Sequence, residues 1–167
     1  MATVNQTFQA AFGVMGASAY PELKKFLGTN FPILGIAFDA TADEGLFFPF
    51  MALGYGSGNL TLDLYWYADT ASSGNVVWEG AIAAITPDSD TQDVETKAFA
   101  TANTVTDSHL GTTGQRLHVA TITISNLDSI AAGDVVTLRI RRLGSNGSDT
   151  MAGDAILWLL NLSYSDT

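Results

Sequence analysis

The sequence predicts an all-β protein, an antiparallel two-sheet jelly-roll sandwich preceded by a short N-terminal arm and helix. Three observations lead there. From Ile33 onward, short apolar runs are punctuated by Gly, Ser, Asn and Asp, with no room for helical crossovers. Several of these runs alternate apolar and polar residues with period two, the pattern of strands with one buried face. They number about eight, the count of a jelly roll.

The chain opens with residues 1–19, where Phe8, Phe12, Val14 and Met15 stand among small residues. This stretch reads as an arm with little regular structure, packed on its own domain or on a neighbouring subunit. It lacks the basic start of a secretory signal, and Asn5 and Gln6 interrupt its apolar character. Pro21 to Leu27 predicts a short helix. Pro21 suits the first helical position, Glu22 the positive end, Lys24 and Lys25 the negative end, and Gly28 the left-handed stop. Residues 1–32 are thus set apart from a jelly-roll domain of residues 33–167.

Within that domain, Ile33 to Phe38 and Leu46 to Leu53 are the first two expected strands. Leu60 to Tyr67 is the clearest, with Leu60, Leu62, Leu64 and Trp66 on one face and Thr61, Asp63, Tyr65 and Tyr67 on the other. Val76 to Ile85 follows a Ser72-Ser73-Gly74-Asn75 turn. Val94 to Val105 is a weaker candidate. Leu117 to Ser125 places Ala120, Ile122 and Ile124 together. Val135 to Arg142 places Val136, Leu138 and Ile140 inward, with Thr137, Arg139 and Arg141 outward. In Asp154 to Tyr164 the residues Ile156, Trp158, Leu160 and Leu162 share a face. The polar stretches Thr86 to Asp93 and Thr106 to Arg116 read as long loops.

Composition narrows the function. The chain has 167 residues, no cysteine, 17 acidic and 7 basic residues, and a net charge of −10. Disulfide frameworks and cysteine chemistry are excluded. So acidic a chain is not expected to bind nucleic acid, whose phosphates demand Lys and Arg, or an anionic membrane. Only 14% of residues are charged, against ~25% in ordinary domains, and the mean hydropathy is +0.20. Such a surface fits either a large well-filled core or burial in an assembly.

No catalytic centre assembles from these residues. Asp107-Ser108-His109 contains triad residue types, but a triad is a spatial arrangement that immediate neighbours do not form. His109 reads as an exposed loop residue and His118 as a packing or interface residue. The two histidines match no zinc spacing, and Asp88, Asp90 and Asp93 lack the glycine and closing glutamate of an EF-hand loop. Asp63 and Glu79 are the one pair of carboxylates that could serve glycoside hydrolysis, but alternating charges on a solvent face give the same pattern. No cofactor, metal or catalytic residue is expected. Tyr65 and Tyr67, beside Asp63, suit either stacking against a sugar or a protein interface. Arg139, Arg141 and Arg142 are expected to pair with carboxylates of this chain or of a neighbour.

The runs Leu60-Thr61-Leu62-Asp63-Leu64-Tyr65-Trp66-Tyr67-Ala68, Ser73-Gly74-Asn75-Val76-Val77-Trp78-Glu79 and Ala132 to Arg142, with the closing Asp154 to Tyr164 strand, resemble a pattern in virion proteins of tailed bacteriophages. The resemblance covers roughly residues 46–164. It implies a capsid decoration, or cement, protein on the outer surface of the virion, a homotrimer that ties major capsid protein subunits together. The alternative is the receptor- or glycan-binding head of a tail fibre. On the first reading Phe8, Phe12, Met15, Tyr65, Tyr67, Arg139 and Arg141 are the candidate interface residues, and the arm reaches a neighbouring subunit or the capsid floor.

Overall fold

The computed structural model describes residues 2–166. Eleven strands occur among them: β1 (Thr3–Gln9), β2 (Val14–Met15), β3 (Glu22–Phe26), β4 (Ile33–Phe38), β5 (Asp43–Met51), β6 (Tyr55–Ala68), β7 (Asn75–Ile85), β8 (Asn103–Ser108), β9 (His118–Ile124), β10 (Val135–Leu143) and β11 (Ala155–Asp166). All pairing is antiparallel. One sheet runs β3-β4-β11-β6-β9, with β1 also paired to β11; the other runs β2-β5-β10-β7-β8. The eight strands from β4 onward divide as 4-11-6-9 and 5-10-7-8, which is jelly-roll order.

Period-two alternation produces this sandwich directly. Leu60, Leu62, Leu64 and Trp66 of β6 are buried, as are Ala120, Ile122 and Ile124 of β9 and Val136, Leu138 and Ile140 of β10. They meet between the sheets around Phe38, Trp66 and Trp78, whose rings pack edge-on at 5.2 and 6.2 Å. Arg142 follows the same inward parity and is fully buried. Its guanidinium donates to both Asp149 oxygens (3.0 and 2.8 Å) and to the carbonyls of Phe38, Met151 and Gly153.

Four expectations need correction. Pro21 to Leu27 is not a helix, because Glu22–Phe26 forms β3 and pairs with β4 along its whole length. The helix signals are local and weak, and so short a helix is marginal alone. Pairing with β4 adds a hydrogen-bonded partner and packs Phe26 against Tyr67. Gly28 does adopt positive φ, but as part of the turn after β3, where a Cβ would strike the Phe31 carbonyl.

The arm is also a strand. Residues 3–9 pair with β11, from Thr3↔Ser165 to Gln9↔Leu159. Val4 and Phe8 pack against the core, Ala10 is fully buried in it, and Met15 also touches it. The alternation was hidden by Gln6, a polar residue at an inward position. Its amide is satisfied by the Met51 carbonyl (3.0 Å) and the Tyr164 hydroxyl (2.9 Å). The segment 1–32 therefore supplies three strands to the sandwich.

The third correction moves the strand expected at Val94 to Val105 to Asn103–Ser108, leaving residues 86–102 as a loop over the five-stranded sheet. The fourth concerns β11. Its register slips between Leu157 and Leu159, where Trp158 is an extra residue. A bulge of this kind reverses the side-chain parity. Leu160 and Leu162 point inward as expected, whereas Ile156 and Trp158 lie on the outer face.

Candidate functional site

The β11 bulge helps to shape a cleft on the outer face of the six-stranded sheet. In a flat sheet Phe26 on β3 and Tyr67 on β6 would be three strands apart. Their ring centroids are 5.8 Å apart, so the sheet curls over itself. Gly35 of β4 allows the close approach: a Cβ there would lie 2.7 Å from Ile156 Cγ2. Ala37, Tyr67 and Ile156, with Phe26 and Ile33 against them, form a small second core beneath the curl.

The cleft encloses about 390 Å³, within the usual ~300–1,000 Å³ of small-ligand sites. Tyr67 lies at its base and Phe26 and Ile33 along one wall. Trp158, half-buried, is presented by the bulge, and Leu117 closes the opposite side. Asp69 and Gln115 supply polar groups, and the Gln115 amide donates to the Asp69 carbonyl.

Tyr67 is the unusual member. It is 6% exposed, and its hydroxyl is buried without a hydrogen-bond partner. Burial, aided by the Asp69 charge, pushes the phenol up to about 12. It is thus a neutral hydroxyl at any physiological pH, an unspent donor and acceptor beside two large rings.

A second concavity of about 600 Å³ lies on the outer face of the five-stranded sheet, beneath the 86–102 loop. Phe47, Pro49, Val135 and Phe99 make it mostly apolar. The charges on this face are largely occupied with one another. Arg139 bonds to Glu79 (3.0 Å) and stacks over Phe99 (4.7 Å), and its Nε is buried without a partner. Arg141 reaches both Glu79 and Asp43. These arginines therefore pair within the chain, one of the two arrangements expected of them.

The other candidates fall as follows. Phe8 lies against Phe48 and Phe50 (5.6 and 6.4 Å), and Met15 touches the same core, while Phe12 is 77% exposed. Tyr65 stands on the open outer face, paired with Val119 and Leu159, outside the curl that covers Tyr67. Asp63 and Glu79 sit in different sheets: Asp63 accepts from Thr121 (2.7 Å) and Glu79 pairs with Arg139. They cannot flank one glycosidic bond. Asp90 and Asp93 accept backbone N–H groups of their own loop, from Thr86 and Glu95.

His118 is buried and stacked on Trp66 at 4.4 Å, a packing role as expected. Asp107 accepts the Trp66 indole N–H at 2.8 Å and lies 3.9 Å from His118 Nδ1. His109, tilted against His118 at 4.8 Å, accepts from the Gly111 N–H and bonds to the Gly114 carbonyl. Both ring nitrogens of His109 are thus committed to the loop that carries Gln115 and Leu117.

Sequence reasoning found Tyr67 but missed Trp158, Phe26 and Gln115. Nothing in the local pattern marks the bulge. Ile156 and Trp158 were assigned from a parity that it breaks.

No protein-family model matches the chain, and no curated protein matches it in sequence. Solved structures do resemble it. A family 36 carbohydrate-binding module in complex with calcium and xylotriose superposes with a TM-score of 0.50 at 14% identity, covering 94% of this chain and 98% of that one. A family 11 carbohydrate-binding module of a cellulosomal cellulase from Clostridium thermocellum gives 0.51 at 10% identity, covering 97% and 95%. An isomalto-dextranase of Arthrobacter globiformis complexed with panose gives 0.53 at 17% identity, covering 95% of this chain but 23% of that enzyme. None of these is a virion protein. At such identities the likeness is one of fold: this chain is a jelly-roll β-sandwich of the architecture that those modules share.

Proposed function

We propose that the chain is a non-catalytic glycan-recognition module, and that the cleft between Tyr67 and Trp158 is its binding site. The observation that carries this reading is the buried, unpartnered Tyr67 hydroxyl at the base of an aromatic cleft. Leaving such a group unmet costs about 1–3 kcal/mol, and a ligand hydroxyl would recover that cost once the cleft wall shifts to admit it, because the oxygen is closed to solvent in the free chain. A pyranose ring offers what the cleft lacks. Its C–H faces pack on Trp158 and Phe26, while its hydroxyls bond to Tyr67, Asp69 and Gln115. Among the described residues no group of three or more His, Asp or Glu side chains is placed to hold a metal ion.

Fold likeness to carbohydrate-binding modules supports this reading only as analogy; the cleft is the independent support. Glycan recognition therefore takes precedence over capsid cementing, for which the structural likenesses offer nothing. The virion-like strand texture is compatible with a glycan-reading head carried on a tail fibre.

The test is a glycan array holding xylo-, gluco- and manno-oligosaccharides together with bacterial surface polysaccharides, probed with the intact chain and with Trp158→Ala. We expect retention of at least one glycan class. Trp158→Ala should weaken it about tenfold or more, as loss of a central aromatic anchor does, while the fold persists because Trp158 lies outside the main core. Binding to no glycan, or binding indifferent to Trp158→Ala, contradicts the proposal.

A further inference from the structure

A different side of the molecule carries an inference independent of the glycan reading. β1 is bonded to β11 on one edge only. Among the described residues, the backbone groups of its other edge have no backbone partner. Seven residues of open edge form a template for another strand, and proteins that must stay apart usually guard such edges with charge or proline. β3, also at an edge, carries Glu22, Lys24 and Lys25. β9 is uncharged apart from its histidine, and Asn103 of β8 bonds to Ser125 just past its end. β1 reads Thr-Val-Asn-Gln-Thr-Phe-Gln and has neither guard nor cover.

The segment around it is free of charged side chains, although the Asp166 carboxylate of β11 accepts from the Ala2 N–H at the start of β1. All 17 acidic and 7 basic residues lie beyond residue 21. The same side exposes large apolar groups. Phe12, three residues past the end of β1, is 77% exposed; Met51 and Leu53 are 49% and 59% exposed. Both are held beside β1, since the Met51 carbonyl accepts from Gln6 and the Leu53 carbonyl from Tyr164, which pairs with Val4.

We propose that this side is a self-association surface, on which two copies pair β1 with β1 antiparallel about a twofold axis. The occupant follows from charge. Over most of its surface a chain of net charge −10 repels a second copy of itself. Here two copies meet along a strand with no charged side chain, while Phe12, Met51 and Leu53 leave water. Pairing of an edge with itself is isologous and closes at two, so it gives a dimer in place of the homotrimer expected from composition and resemblance.

The experiment is sedimentation equilibrium of the full chain over micromolar to submillimolar concentrations. The expected species is twice the 17.6 kDa of one chain. The double variant Thr3→Lys with Thr7→Lys sets like charges against each other across the axis while lowering the net negative charge. Phe12→Ser removes apolar contact without touching the strand. Each should raise the dimer dissociation constant about tenfold or more, with an unchanged far-ultraviolet spectrum. Leu27→Ser, at an apolar residue that is 72% exposed beside the cleft, should leave the dimer intact. A chain that stays monomeric throughout, a trimer, or a dimer indifferent to both sets of substitutions overturns the proposal.

Discussion

Arg142 and Tyr67 are both buried polar side chains on neighbouring parts of one sandwich, and their surroundings treat them in opposite ways. The Arg142 guanidinium is met by two carboxylate oxygens and three carbonyls, and the Asp149 side chain is itself completely buried. The Tyr67 hydroxyl is met by nothing. A buried polar group whose partners are all internal fixes the chain's own shape; here Arg142 pins residues 149–153 against β4. A buried polar group without a partner, at the base of a cleft, is a cost carried in the free protein. That cost makes sense where something else completes the bonding. Trp78 Nε1 is also buried and unpartnered, but in the main core; what sets Tyr67 apart is its place beside the cleft.

The largest expected effect tests the architectural half. Arg142→Met keeps the apolar stem but leaves Asp149 buried without its counter-charge. Breaking a buried pair from one side costs about 3–5 kcal/mol, which for a chain of this size is a fall in Tm of roughly 10 °C. Calorimetry measures it directly. A change of a degree or less would mean that Arg142 and its partners do not hold residues 149–153 in place.

A smaller effect comes from His118, an intermediate case that is stacked and buried but has an unpartnered Nε2. Burial holds its pKa below the ordinary 6.5. Asp107 opposes that shift, while His109 and Arg116 add to it. The folded state therefore prefers the neutral ring, whereas the unfolded chain takes up a proton below about 6.5. Stability from this group is intact above 6.5 and is lost as pH falls from there through the lower folded value. Thermal melts between pH 7.5 and pH 5 should show the decline, and His118→Phe, which preserves the stack on Trp66, should flatten it. An identical slope in the variant would assign the decline to other groups.

Much of the sandwich was legible because period-two burial is a local property. β6, β9 and β10 each show it in a single run of residues, and the buried Arg142 continues the parity of β10 past the apolar positions that the sequence marked. β1 was illegible because Gln6 occupies an inward position, and only the distant Met51 and Tyr164 make that tolerable. β3 was illegible because its end signals imitate those of a helix, and its strand state comes from β4. The cleft was the least legible part. Tyr67 could be named from alternation, but Trp158 reaches the outer face through a bulge, and Phe26 reaches Tyr67 through a curl across three strands. Both are properties of the assembled sheet.

The smallest shift in stability bears most directly on the central claim. Tyr67→Phe removes only the unmet hydroxyl. Melting and glycan titration of the same preparation should move in opposite directions: Tm up by about 2–4 °C, corresponding to roughly 1 kcal/mol recovered, and affinity for the array-selected glycan down about five- to tenfold. A variant that is no more stable than the parent and binds the glycan equally well would contradict the account, because the hydroxyl would then be neither a cost in the free protein nor a contact in the complex.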